Sequence, residues 1–185
     1  MRQHILEQTP SAWKANFALA QSLVHYVQPK IIVDLGVDYG YSSYALAEQG
    51  IGTVYAVDWF KGDQHAGFKN TYNYVIQQVI AGQYNNIKIV SGDFADIAEQ
   101  WTLPVDILHI DGEHTYEAVS KNYADWHTHV VERGVVLLHD TISFPNTVGR
   151  FFDNLDLPKI NFAVDNGLGI VAKHADIIND IKAMM

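Results

Sequence analysis

Five acidic residues stand where short apolar runs give way to loops. Asp34 lies within the run 31–35, Asp58 closes 53–57, Asp93 follows 87–90, Asp111 closes 105–110 and Asp140 follows 134–138 by one histidine. One acid at a strand end is ordinary loop polarity; five along one edge point to a ligand. Ligands of open parallel sheets bind outside the carboxyl ends of the strands, near the point where strand order reverses. Carboxylates gathered there suit a cationic group, ribose hydroxyls or a metal ion.

The first of these loops reads Asp34-Leu35-Gly36-Val37-Asp38-Tyr39-Gly40-Tyr41-Ser42. Its two glycines let the backbone turn tightly and approach a ligand, with the free N–H groups of the next helix facing it. A dinucleotide loop would need three glycines as G-x-G-x-x-G, and Asp34 and Asp38 would repel a pyrophosphate; an amine or sulfonium fits better. Asp58 falls 24 residues after Asp34, close to the ~20-residue offset at which a second-strand acid grips ribose hydroxyls. Trp59 beside it would cover an adenine face. Gly92-Asp93-Phe94 offers a second acid and ring for the adenine, or a simple turn.

Elements that would position these residues follow from periodicity. Trp13, Phe17, Ala20, Val24 and Val27 mark a helical core stripe, as do Phe68, Tyr72, Val75 and Val79, and Tyr116, Val119, Tyr123, Trp126 and Val130. Further helices are expected over 42–49 and 95–101. Strands are expected over the five runs above and over 160–164 and 168–172, where Asp165-Asn166-Gly167 signals an antiparallel hairpin. Alternating strands and helices give an α/β fold: a single-domain Rossmann-like sandwich spanning 1–185, with residues 1–29 a helical extension. Its seven-stranded sheet is expected to be mostly parallel, with an antiparallel C-terminal hairpin and helices on both faces.

The 185 residues carry 21 acids against 12 Lys and Arg, nine histidines and no cysteine. Disulfides and thiolate metal sites are thereby excluded, and the net charge of −9 argues against nucleic acid as a partner. No apolar run reaches the ~18 residues that span a bilayer, and Met1-Arg2-Gln3-His4 leads into no signal-peptide core. A cytoplasmic protein without a membrane partner is expected; a homodimer stays open.

The Asp34-x-Gly36-x-x-x-Gly40 loop, Asp58, Gly92-Asp93 and the closing hairpin resemble the class I S-adenosylmethionine-dependent methyltransferases over residues 30–173. Ile110-Asp111-Gly112-Glu113-His114-Thr115-Tyr116 and Leu138-His139-Asp140-Thr141 resemble the small bacterial branch related to catechol-type O-methyltransferases. The resemblance implies S-adenosyl-L-methionine held by Asp34, Gly36, Asp38, Gly40, Tyr41 and Ser42 at its methionine end, by Asp58 and Trp59 at the ribose, and by Asp93 and Phe94 at the adenine. It implies methylation of a small hydroxylated acceptor, a sugar or a phenol. Asp111 and Asp140 match two of three expected ligands of a divalent cation, Mg2+ or Mn2+, and Thr141 stands where an Asn is expected. The expected lysine base is replaced by His114.

The histidines then divide. His114, with Asp111 beside it, fits a general base, a helix-start residue or a metal ligand. His139 adjoins Asp140, and strand neighbours point to opposite faces, so a packed residue is expected there unless the strand has already ended. His109 is expected in the core and His127 and His129 on a solvated face, while His4, His25, His65 and His174 join no constellation. Segments 61–67 and 144–147 would line an acceptor pocket or be plain loops. The competing functions are a non-catalytic module that retains the cofactor, and a nicotinamide-dependent reductase.

Overall fold

In the computed structural model, residues 1–64 and 67–184 are described; His65 lies outside them. The chain runs α1 (Arg2–Gln8), a 3-10 turn (Lys14–Asn16), α2 (Phe17–Val27), β1 (Ile31–Leu35), α3 (Tyr41–Ala47), β2 (Thr53–Asp58), α4 (Tyr72–Gly82), β3 (Ile87–Ser91), α5 (Phe94–Glu99) and β4 (Val105–Ile110). It continues with α6 (Tyr116–Trp126), a second 3-10 turn (His127–His129), β5 (Val130–His139), a π-turn (Pro145–Gly149), α7 (Arg150–Asn154), β6 (Lys159–Phe162), β7 (Leu168–Ala172) and α8 (Ala175–Ala183). Seven strands form one sheet in the order β3-β2-β1-β4-β5-β7-β6. β1 to β5 pair in parallel, and β7 lies antiparallel to both β5 and β6.

Period two along the strands sorts the core into two layers. Ile32 on β1, Ile107 on β4 and Leu137 on β5 pack with residues of α1 to α4 and α8, whereas Val33, Leu35, Leu108 and Leu138 pack with α5, α6 and α7. Helices therefore cover both faces, as an alternating β/α order requires. Chain direction reverses its progress across the sheet between β1 and β4, so the loops after these two strands part and leave a crevice above their carboxyl ends.

Several expected boundaries shift. The stripe from Trp13 to Val27 is not one helix: α2 begins at Phe17, and Trp13 precedes the 3-10 turn. Phe68 lies before α4 and is largely exposed, so it belongs to no core stripe. α6 ends at Trp126, and β5 is twice the expected length because it starts at Val130 and crosses an irregularity in its pairing with β4. The closing hairpin strand β6 ends at Phe162. α1 and α7 carry too few turns to show a clear period, whereas α8 buries Ile177, Ile178 and Ile181 on one face. Among the described residues, no helix is long and apolar enough to cross a membrane.

Gly36 sets how closely β1 and β4 approach at the crevice. It sits at φ +91°, and a Cβ there would lie 1.9 Å from the Asp111 carbonyl oxygen. Gly50 shares a positive φ of +69°, but a Cβ there meets nothing within 4 Å. Gly36→Ala is expected to cost at least ~2 kcal/mol and Gly50→Ala only about 1 kcal/mol, read as urea midpoints at unchanged slope; equal losses would show that backbone strain alone, not the β1–β4 approach, governs the site.

Candidate active site

A cavity of about 510 Å³ opens at the crevice between the β1 and β4 ends. Gly36, Val37, Asp38, Tyr41 and Ser42 from the first loop line it, with Asp58 and Trp59 after β2, Gly92, Asp93 and Phe94 after β3, and Asp111 to His114 after β4. His139, Asp140 and Phe144 close it from β5, Ala118 and Asn122 from α6, and Pro10 to Trp13 from the N-terminal segment. Seven carboxylates line it against two histidines, His114 and His139, and no lysine or arginine is among the described residues that form it.

Two of the strand-end acids act as internal struts. Asp34 is fully buried. One of its oxygens accepts hydrogen bonds from Ser42 Oγ (2.7 Å) and Ser43 Oγ (2.5 Å), and the other faces His109 Nδ1 at 2.6 Å. Trp13 Nε1 donates to His109 Nε2 at 3.1 Å. An indole N–H can only donate, so Nε2 accepts and Nδ1–H points at Asp34. Asp58 accepts the backbone N–H groups of Val37 (2.8 Å) and Asp38 (3.0 Å) on one oxygen and of Phe60 (2.6 Å) on the other. Burial pushes the Asp58 carboxyl up, against the pull of these donors.

The remaining acids face histidines. His114 Nε2 stands 2.7 Å from Asp140 Oδ2 and 3.6 Å from Asp111 Oδ1, with its ring stacked 4.3 Å from Phe144. His139 Nδ1 stands 3.2 Å from Asp111 Oδ2 and 3.4 Å from Asp140 Oδ2. Burial alone would lower both histidines, but the adjacent carboxylates outweigh it and raise His114 to about 9 and His139 to about 10. The same contacts hold Asp111 and Asp140 below the usual carboxylate range although burial opposes this.

Donor atoms of Asp111, His139 and Asp140 lie within 4.8 Å of one another, as a metal-ligand set would. Asp140 Oδ1 and His139 Nε2 are buried without a hydrogen-bond partner among the described residues. His139 is packed as expected, and the condition for it to join Asp140 is also met: β5 ends at His139 and Asp140 takes φ +63°, so donor atoms of both side chains lie close together. Thr141, at the place of the expected Asn, instead donates to Asn161 Oδ1 at 2.8 Å.

The geometry also sorts the expected cofactor residues. Gly36, Asp38, Tyr41, Ser42, Asp58, Trp59, Asp93 and Phe94 line the cavity. Asp34 and Gly40 do not: Asp34 is enclosed by its serine and histidine partners, and Gly40 turns the chain at φ +93° into α3. Asp93 accepts from Ala95 N at 2.8 Å as the N-cap of α5, and Asp38 pairs with Lys69 at 2.9 Å. The helix-start role weighed for His114 falls to its neighbour Thr115, whose hydroxyl accepts from Ala118 N. Among the cavity residues that sequence reasoning missed are Trp13, because the spacing placed it in a helix stripe, and Asn122, because the α6 stripe was traced through its apolar members.

A family model described as a methyltransferase domain matches residues 33–141. The uncharacterized protein y4gI of Sinorhizobium fredii is 33% identical across 87% of this chain, which spans only 19% of that relative's length. An O-methyltransferase involved in tomaymycin synthesis from Streptomyces achromogenes, solved in complex with SAM, superimposes with a TM-score of 0.69 at 16% identity, covering 91% of this chain and 89% of its own. An O-methyltransferase from Bacillus cereus, solved with SAH, gives 0.69 at 14% identity, covering 93% and 90%.

Trp13→Phe removes the N–H that His109 Nε2 accepts, together with the second ring of a fully buried indole, so the expected loss is a minimum. Leaving that buried nitrogen unsatisfied is expected to cost about 1–3 kcal/mol, measured by urea denaturation; an unchanged midpoint would mean the contact contributes nothing to stability.

Proposed function

The chain belongs to the methyltransferase-domain family, and we propose that it is an S-adenosylmethionine-dependent O-methyltransferase acting on a small hydroxylated acceptor, a sugar or a phenol. The observation that carries this reading is the convergence of His114, His139, Asp111 and Asp140 at one end of the cavity whose other end is lined by Asp58, Asp93 and Phe94. The acidic lining favours a sulfonium donor over a pyrophosphate-bearing one, which weighs against the nicotinamide reductase. Asp58, still open to the cavity, is the partner assigned to the ribose hydroxyls, with Trp59 and Phe94 beside the adenine.

Methyl transfer to oxygen is an in-line displacement, faster when the acceptor hydroxyl gives up its proton. Holding donor and acceptor in line supplies roughly 7–11 kcal/mol of the barrier. His114 is the assigned base, its ring held by Phe144 and its Nε2 directed at Asp140. Asp111 and Asp140, with His139 as a third donor, are the assigned ligands of a divalent cation. An imidazole in that set favours Mn2+ over Mg2+. When bound, such an ion lowers the hydroxyl's pKa and orients it.

Calorimetry with S-adenosylhomocysteine is expected to show one site per chain, largely lost in Asp58→Ala; because Asp58 also accepts three backbone N–H groups, that variant is also expected to melt lower. Radiolabelled methyl transfer to phenols and sugars separates an enzyme from a module that only retains the cofactor. Absence of homocysteine-cofactor binding to the wild-type chain would overturn the reading. His114→Ala is expected to reduce turnover 10²–10⁴-fold with cofactor affinity nearly unchanged, and chelation to reduce turnover until Mn2+ is restored. A fall in cofactor affinity instead would make His114 structural, and a rate indifferent to chelator would remove the cation.

A further inference from the structure

The closing hairpin turn does more than reverse the chain. Its tip, Asp165-Asn166-Gly167, is pinned to two walls of the cavity. Asp165 Oδ2 accepts the Ala15 N–H at 3.1 Å, from the segment that follows Pro10 to Trp13. The Asn166 carbonyl accepts the N–H groups of Ile142 (2.9 Å) and Ser143 (3.1 Å), just beyond Asp140. Gly167 permits that approach, since a Cβ there would lie 2.6 Å from Thr141 Oγ1 and 2.8 Å from Ile142 N. These ties use the backbone and the Asp165 carboxylate. The half-buried Asn166 also lines the cavity, and its side chain takes part in none of them.

The turn itself does not call for asparagine at this place. Asparagine is favoured in turns because it tolerates positive φ and hydrogen-bonds nearby backbone. Here Asp165 (φ +48°) and Gly167 (φ +89°) take the positive torsions and Asn166 does not. Nor does its amide hydrogen-bond any described residue. What Asn166 adds is an amide, donor and acceptor at once, on a rigidly held tip. Ser11 lines the same cavity, and its Oγ accepts the Trp13 N–H at 2.9 Å while keeping a proton to donate. Glu113, beside His114, accepts Gln64 Nε2 on Oε1 at 2.7 Å, which leaves Oε2 open among the described residues. Ionised carboxylates only accept, so a lining with seven of them and no lysine or arginine suits a ligand rich in O–H donors. A carboxylate or phosphate on the acceptor would meet like charge with no lysine or arginine there to offset it.

We propose that the acceptor is a neutral sugar, and that Asn166 is a specificity-determining residue that hydrogen-bonds one of its hydroxyls other than the one methylated. This rests on the methyltransferase reading above and narrows its acceptor. A phenol with one or two hydroxyls leaves most of these polar groups without a partner. A pyranose carries enough O–H groups to meet the Asn166 amide, Ser11 and Glu113 together.

The test is labelled methyl transfer by the full chain to the methyl glycosides of glucose, galactose and mannose, to glucuronate and glucose 6-phosphate, and to catechol. At least one neutral glycoside is expected to be methylated, and the two anionic sugars at least about tenfold less efficiently. With the best glycoside, Asn166→Ala is expected to raise KM about tenfold, the worth of one neutral hydrogen bond, with kcat and S-adenosylhomocysteine affinity unchanged. Among the monodeoxy forms of that glycoside, one is expected to bind about tenfold more weakly to the wild-type protein and no more weakly still to the variant. A merely structural role for Asn166 would weaken every deoxy form alike. The comparison of neutral with anionic sugars needs no variant and stands should alanine loosen the hairpin. Transfer to catechol alone or to none of these acceptors, equal use of anionic and neutral sugars, or deoxy losses identical in wild type and variant each overturns the inference while the cofactor reading stands. Failure of S-adenosylhomocysteine to bind the wild-type chain overturns the cofactor reading, and this inference with it.

Discussion

A carboxylate with no access to water organises this molecule. Asp34 lies in the middle of the sheet on β1, and an ionised acid without partners there would cost several kcal/mol. Its position therefore dictates others: the first turn of α3 must present Ser42 and Ser43 to it, and β4 must place His109 alongside. His109 in turn needs a donor for Nε2, which brings Trp13 and the N-terminal segment over the sheet edge. One buried carboxyl group thus joins two strands, the first turn of α3, and a segment that precedes the sheet by many residues. The wall of the cavity formed by Pro10 to Trp13 stands where it does because of that chain of contacts.

The other strand-end acids divide the work by how much of each oxygen the protein consumes. Asp58 holds the glycine loop through three backbone N–H groups, and the positive φ of Asp38 and Phe60 is the conformation that points those groups inward. Such φ values are uncommon outside glycine and persist where the surroundings enforce them. Asp93 caps a helix. Among the described residues, the side-chain oxygens of Asp111 and Asp140 meet histidine side chains, and Oδ1 of Asp140 has no partner. Rigidity is thus concentrated at the β1 and β2 ends and unsatisfied chemistry at the β4 and β5 ends, on opposite sides of the same crevice.

Periodicity made the sheet legible, since strands buried on both faces read as continuous apolar runs and the hairpin announced itself at Asp165-Asn166-Gly167. The acids at the strand ends were legible for the same reason, being polar residues that interrupt apolar runs. Backbone torsion was not. Whether His139 joins Asp140 depends on a single φ at Asp140, and nothing in the spacing of the two residues encodes it. Trp13 fitted a helical spacing by coincidence, because a 3-10 turn intervenes before α2. Asn122 carried a readable signal that an apolar stripe conceals: it lies three residues after Val119 and four before Trp126, so it had to share their buried face.

Electrostatics links the two ends of the crevice. With carboxylates as their neighbours, His114 and His139 hold their protons at neutral pH, and two imidazolium charges then balance Asp111 and Asp140. A histidine in that state cannot accept a proton. For His114 to serve as the proposed base, another positive charge must first stand beside the carboxylates and release the imidazole toward its ordinary range. Both proposed occupants of the cavity, a sulfonium donor and a divalent cation, bring such charge. Assembly of the complete site and activation of its base would then be one event, and a chain with so acidic a cavity would be idle until it is filled.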